Sequence, residues 1–356
     1  MTKLGPLFHA MSKVRAISSV AGLAGHGLLK EADVKALSKV ERNFSTRLTG
    51  EVLKQIETAG LSDPIFQQYV PQRAELEIQK DEVADPTGDG PHGKVKGIIH
   101  RYEDRLLLTP THTCQVYCRF CFRREKVGQG AGNLSNAELE KAIAYIAAHP
   151  EIHEVILSGG DPLVLSDRRL GDIMQRLAAI DHVQVIRFHT RVPMVEPTRI
   201  SPALIKTLIV RPAVYIVVHV NHVAELSQEV CKGLKRMARA GIPLLSQTVL
   251  LKGVNDDAET LATLFRALIA NRVKPYYLHH LDRAKGTSHF RVSIKRGQEI
   301  MRELRGRLSG IAQPTYVIDI PGGFGKVPIG PQYLSEAGGV YEIADPKGRR
   351  HRYQDN

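Results

Sequence analysis

From residue 105 onward the chain repeats one local order, in which a short apolar, strand-like run gives way to a window of charged and aliphatic residues at helical spacing. The runs are LLLTP from 106, EVILSGG from 154, VQVIRFHT from 183, AVYIVVHV from 213, IPLLSQTVLL from 242 and KPYYLHHL from 274. Between them lie helical windows such as NAELEKAIAYIAAH, AELSQEVCKGLKRMARAG and DDAETLATLFRALIANR. Six strand and helix units in sequence predict an α/β fold, with a parallel sheet and helices outside it, curled toward a barrel or left open. In either case a ligand site belongs at the carboxyl ends of the strands.

That rule gathers otherwise scattered residues. Cys114, Cys118 and Cys121 follow the first strand, Ser158, Gly159, Gly160 and Asp161 the second, His189 and Arg191 the third, and Asp282 the sixth. After a further helix near 293–309, TYVIDIPGGFGK at 315–326 reads as one more strand feeding a glycine-rich turn. Ahead of the alternation, residues 29–60 carry helical spacing and DPTGDGPHG at 85–93 is a turn-rich break. The expected organisation is a mainly helical portion over 1–95, a core over 96–290 and a C-terminal segment over 291–356.

Three of the four cysteines stand within eight positions, in THTCQVYCRFCFRRE, and the fourth is far away at Cys231. Cysteines so crowded do not read as a disulfide framework; they are placed to hold a metal in a reducing compartment, so a cytoplasmic location is expected. Four thiolates close a structural zinc site or fully ligate an iron–sulfur cluster, whereas three leave a position for something else. The alternative is a zinc knot completed by His112 or Cys231, but zinc ligands usually come as two spaced pairs and a second pair is missing.

The chain is 43% hydrophobic and 24% charged, and no apolar run approaches the roughly 20 residues of a membrane span. Its formal charge of +12 would suit a nucleic-acid binder, but the basic residues are dispersed rather than gathered in one tract, so no nucleic-acid partner is expected. Two denser groups exist: Arg119, Arg123, Arg124 and Lys126 are expected to bind an anion beside the cysteines, and Lys347 to Arg352 to form solvated surface. The first thirty residues, basic and without an acid before Glu31, vaguely resemble an organelle transit peptide; a helical extension is the expectation.

PGGFGK at 321–326 is not a nucleotide phosphate loop, because that loop would need a glycine at Ile320 and a Ser or Thr at Val327. A lysine on a close-packed glycine turn, with Asp319 upstream, suits a Schiff base with pyridoxal phosphate; its plain reading is an exposed turn lysine.

The spacing C-x3-C-x2-C with Phe120 before its last cysteine closely resembles the cluster loop of radical S-adenosylmethionine enzymes. The resemblance implies a partial (β/α)6 TIM-like barrel in which Cys114, Cys118 and Cys121 hold a [4Fe-4S] cluster. S-adenosyl-L-methionine would complete that cluster, and ILSGGDP, with Ser158, Gly159, Gly160 and Asp161, resembles the loop for its amino group. Joined to PGGFGK, the chain from HRYEDRLLL through PGGFGKVP resembles the lysine 2,3-aminomutase family. That likeness implies that Lys326 carries pyridoxal 5′-phosphate, that Arg101 and Arg105 contact its phosphate, that Arg123 grips the α-carboxylate of L-lysine, and that Asp282 and Asp319 hold the distant ammonium. It further implies a 5′-deoxyadenosyl radical that takes hydrogen from C3 of lysine, and a 1,2-amino shift giving β-lysine.

Members of the family with a zinc-bearing interface have a cysteine where this chain has Asp257, so zinc is not expected, and a homo-oligomer is left open. An electron-donor protein such as flavodoxin or ferredoxin is implied as partner. YYLHHLDR resembles the subgroup that supplies β-lysine to elongation factor P, which is the nearest alternative. A radical enzyme without pyridoxal phosphate that modifies RNA is a second, and a non-catalytic zinc module a third.

Overall fold

The computed structural model describes residues 16–60, 63–128 and 132–355, so the N-terminal expectation lies outside the described residues as far as it concerns 1–15. Nine strands form one sheet in sequence order: β1 Ile98–Tyr102, β2 Arg105–Thr111, β3 Glu154–Gly159, β4 Val185–Thr190, β5 Ala213–His219, β6 Leu244–Val249, β7 Val273–His279, β8 Thr315–Asp319 and β9 Lys326–Pro328. Strands β2 to β8 are all parallel, and β1 and β9 lie antiparallel at the two edges.

The six crossovers run through helices Asn136–Ala147, Asp167–Ala178, Pro202–Leu208, Gln228–Arg239, Ala258–Ala270 and Ile294–Arg305. Their sequences explain their ends and faces. Ser135 accepts from Glu138 N while the Glu138 carboxylate returns a bond to Ser135 N, a capping box that opens the first of them. That helix then buries Leu139, Ala142, Ile143 and Ile146, the i, i+3, i+4, i+7 stripe. Replacing Ser135 by Ala would cost about 1 kcal/mol. The strands read as nearly unbroken apolar runs because both faces are covered: Val155, Ile156 and Leu157 of β3 are all buried.

The sheet curls until its edges meet through side chains. Lys326 N at the start of β9 donates to the Tyr102 hydroxyl of β1 at 2.9 Å, and Arg101 lies 3.9 Å from Asp319. The result is an incomplete barrel whose seam is bridged without a backbone ladder. The six units and the extra strand read from sequence are all present, while β1 is an addition: HRYEDR is no mere prelude to a strand but the bend of a hairpin, with Tyr102 opposite Arg105.

Before the sheet come helices Val20–Gly25, Glu31–Asn43, Gly50–Ala59 and Pro64–Tyr69; residues 70–97 hold only two short 3₁₀ turns. After it, β10 Leu334–Ala337, β11 Val340–Ala344 and β12 Arg350–Tyr353 make a small antiparallel sheet. Its last strand contains much of the basic tail and is solvent-exposed, with Arg350 paired to Glu342. Among the described residues no helix is long and apolar enough to cross a membrane.

Candidate active site

Pleating places alternate strand residues inside the barrel. Glu154, Ile156 and Ser158 of β3, Val185, Arg187 and His189 of β4, and Leu245, Gln247 and Val249 of β6 line a cavity of about 840 Å³. The same cavity is reached by Cys114, Cys118 and Cys121, by Arg101, Arg105 and Arg123, by Ser158 to Asp161, and by Asp282, Asp319 and Lys326. The residues that the family resemblance assigns to the cluster, the cofactors and lysine therefore share one chamber. Cys231 lies on the helix Gln228–Arg239, outside that lining.

The three cysteines are free thiols. Burial pushes the Cys118 thiol up to about 11 and likewise raises Cys114 and Cys121, and Cys121 further disfavours ionisation of Cys114 and Cys118. Among the described residues no three His, Cys, Asp or Glu side chains stand close enough to share one metal ion. Phe120 packs with Leu251, Val254, Leu281 and Phe290, which puts an apolar wall behind the loop.

Lys326 sits between a carboxylate and an imidazole. Its Nζ bonds to Asp319 and lies 3.3 Å from His279 Nδ1. The Asp282 carboxylate has no hydrogen-bond or ion-pair partner among the described residues, and burial, then the nearby Asp319, pushes it up to about 7. The two expected ammonium ligands are thus unlike in this state: Asp319 is held by the protein's own amine and Asp282 is open to the cavity. Arg123 donates from Nε to Asp89 at 2.9 Å and from a terminal nitrogen to Ser158 Oγ at 3.0 Å. Arg105 stacks on Tyr102, its guanidinium carbon 3.8 Å from the ring centre, and pairs with Asp104.

The family profile of the Radical SAM superfamily matches residues 108–265, and that of Lysine-2,3-aminomutase matches residues 301–339. An L-lysine 2,3-aminomutase of Fusobacterium nucleatum is 38% identical over 89% of this chain and 75% of its own length. One from Methanococcus maripaludis is 44% identical over 76% of this chain and 63% of its own. A glutamate 2,3-aminomutase of Clostridioides difficile is 37% identical over 88% and 74%. The chain belongs to the lysine 2,3-aminomutase family.

The residues present fit the groups that this aminomutase family implies. Three recessed thiols whose ionisation is opposed by burial require strong positive charge to become thiolates together, which an iron–sulfur cluster would supply. On the lysine side, the buried atoms Arg101 Nε, His189 Nε2 and His279 Nε2 have no partner among the described residues, as befits a chamber built for a polar ligand.

Other expectations are corrected. Arg119 and Arg124 do not await an anion: both are buried against Glu75, Arg119 Nε at 3.0 Å from Oε1, and Lys126 lies 3.6 Å from Asp85. An acidic segment before the barrel neutralises these charges as they are buried. The glycines at the end of β3, besides lining the cavity, make room for protein, since a Cβ on Gly159 would stand 2.5 Å from Thr111 O and one on Gly160 would meet Thr113 O. Asp161 uses both oxygens on Leu163 N, Thr190 Oγ1, Arg191 N and Val192 N, tying the third strand's end to the fourth's. Arg191 is locked by Tyr69, Gln68 and Glu225. Asp257 accepts from Thr260 N at 2.8 Å and caps a helix.

Sequence reading assigned nothing to Asp89, His219, Gln247 or His279. Burial keeps His189 and His279 well below the usual imidazole value and His219 at about 3, so these three inward rings are polar yet uncharged. Their signal was available, because each histidine falls at the inward phase near the end of its strand.

Proposed function

We propose that the chain interconverts L-lysine and β-lysine. The observation that carries this reading is the pairing of an unpartnered Asp282 with Asp319 in one chamber with Arg123, Lys326 and the cysteine trio. Two carboxylates suit a cationic side chain and oppose an anionic one, which separates lysine from glutamate as substrate. When bound, the [4Fe-4S] cluster and S-adenosyl-L-methionine supply a carbon radical that abstracts hydrogen, and pyridoxal 5′-phosphate supplies the π system that lets nitrogen migrate to the neighbouring carbon.

The chain's own residues do the holding. Cys114, Cys118 and Cys121 bind the cluster, with the backbone of Ser158 to Asp161 beside them for the amino group of S-adenosylmethionine. Lys326 carries the pyridoxal aldehyde, with Arg101 and Arg105 on its phosphate. Arg123 takes the α-carboxylate with the donors that Asp89 and Ser158 leave free. Asp282 and Asp319 take the distal ammonium, which fixes C3 in depth; aligning the reacting atoms and excluding water is the protein's main contribution.

The electron comes from a small donor protein such as flavodoxin or ferredoxin, in the cytoplasm. The test is anaerobic reconstitution with lysine, S-adenosylmethionine, pyridoxal phosphate and a reductant, followed by chromatography for the 3-amino isomer. Isomerisation of glutamate in place of lysine would overturn the substrate assignment.

A further inference from the structure

The turn-rich stretch before the barrel contributes a carboxylate to which the proposed chemistry gives no part. Asp89 has a side chain only 4% exposed, and its oxygens are divided between two arginines of the cavity: Oδ2 accepts from Arg123 Nε at 2.9 Å and Oδ1 from Arg101 at 3.3 Å. These arginines belong to different elements, one to the cysteine loop and one to β1. Burial alone would raise the Asp89 carboxyl, but Arg123 above all holds it below the usual range, so it is a permanent anion.

Its neighbours tie it to the lysine turn as well. Gly88 has φ +63°, and a Cβ there would stand 2.5 Å from Gly323 N, while His92 Nε2 lies 3.1 Å from Gly323 O. One short segment therefore touches the lysine turn, the arginine proposed for the cofactor phosphate and the arginine proposed for the substrate carboxylate.

The consequence falls on Arg123. A guanidinium has five N–H donors in a rigid fork. Nε is spent on Asp89 and one terminal donor on Ser158, so the remaining donors lie at the terminal nitrogens and a carboxylate must approach end-on. We propose that Asp89 is a positioning residue for the substrate α-carboxylate: by holding Arg123 from behind, it sets where the amino acid backbone sits relative to the lysine turn. This rests on the lysine reading above. Two effects compete in it, since the Asp89 charge repels an incoming carboxylate while an arginine without its Nε partner gains side-chain freedom that binding must remove. Asp89 lies on the Nε side, away from the open donors, so orientation outweighs repulsion.

Steady-state kinetics of the cofactor-loaded enzyme test this, with cadaverine, the amine that lacks the carboxylate, as competitor. Asp89→Asn should raise the lysine KM roughly tenfold or more with kcat changed less than about threefold, the size of one lost charge-assisted contact. Inhibition by cadaverine should stay as in the wild type, and Asp89→Glu should recover most of the lysine KM. An unchanged or lowered lysine KM in Asp89→Asn overturns the role, as does parallel weakening of cadaverine, which would mark general damage to the site. A wild-type enzyme that does not isomerise lysine at all takes the reading of the reaction down first, and this role with it.

Discussion

The loop that carries the cysteines and the turn that carries Lys326 face the same cavity, yet the protein holds them by opposite means. The cysteine loop is clamped by charge and backbone: Arg119 and Arg124 meet Glu75, Arg119 donates to Ser45 O at 2.9 Å, and Arg119 N donates to Gln68 O at 2.8 Å. These anchors come from ahead of the barrel, and Arg124 adds one from the far side, donating to Gly286 O at 3.0 Å. The lysine turn rests on three positive-φ glycines, 322, 323 and 325, with Phe324 80% exposed beside them; beyond its pairing with β8 and the contacts of the Lys326 amine, it is tied by single bonds to Tyr102 and His92. A loop that shelters a redox centre gains from burial and fixed charge, which exclude solvent and set its environment. A turn that must admit a separate aldehyde and then a substrate gains from being lightly held.

The comparison breaks most sharply at the thiols. Cys114→Ser, Cys118→Ser and Cys121→Ser should each abolish cleavage of S-adenosylmethionine and lower bound iron, whereas Cys231→Ser should leave both near wild type; iron and sulfide analysis beside 5′-deoxyadenosine detection decides. Glu75→Gln comes next, because it keeps the shape but leaves two buried guanidiniums without their anion, a loss of about 3 to 5 kcal/mol. Denaturant unfolding should show it. Burial would raise Glu75, but Arg119 and Arg124 prevail and hold it below the ordinary carboxyl range. Its contribution is therefore present above that range and lost as pH falls through the depressed value, so the wild-type advantage over Glu75→Gln should shrink in acid.

On the lysine side the instructive charge is an unsatisfied one. Asp282, pushed up to about 7 from an ordinary 3.8, binds an ammonium well only once ionised. The lysine KM should accordingly fall as pH rises through 7, by roughly tenfold between pH 6 and 8. Asp282→Asn should raise the KM and abolish this slope. The same raised value means that folding stability declines as pH climbs from the ordinary value toward 7, a decline that Asp282→Asn removes. A slope that persists in the variant would assign the titration to another group.

How far the sequence discloses this design differs between the two regions for a physical reason. Strands, crossovers, the cysteine trio and Lys326 depend on periodicity and local spacing, which a linear reading can see. The clamp cannot be read that way. Glu75 and Arg119 are 44 residues apart, and neither charge differs in pattern from a solvated one. Asp89 was likewise hidden inside a stretch whose glycines and prolines mark it only as a turn, and β1 inside HRYEDR, where two arginines and two acids mask a hairpin. Gly159 and Gly160 are legible only in part: the need for close approach can be read, but the protein backbone they also admit, Thr111 to Thr113, comes from the end of β2 and the loop after it.

The smallest expected effect tests how lightly the lysine turn is held. Tyr102 reaches across the open seam, accepts from Lys326 N, and stacks under Arg105. Tyr102→Phe removes the acceptor but keeps the ring, so the stacking survives and only one hydrogen bond is lost, about 0.5 to 1.5 kcal/mol. That energy sits on the lysine turn alone. Cofactor retention, followed by absorbance during dialysis, should therefore weaken by severalfold while iron content and cleavage of S-adenosylmethionine stay unchanged. Equal loss of iron would mean that the seam supports the cysteine loop too, and that the two regions are held as one body rather than separately.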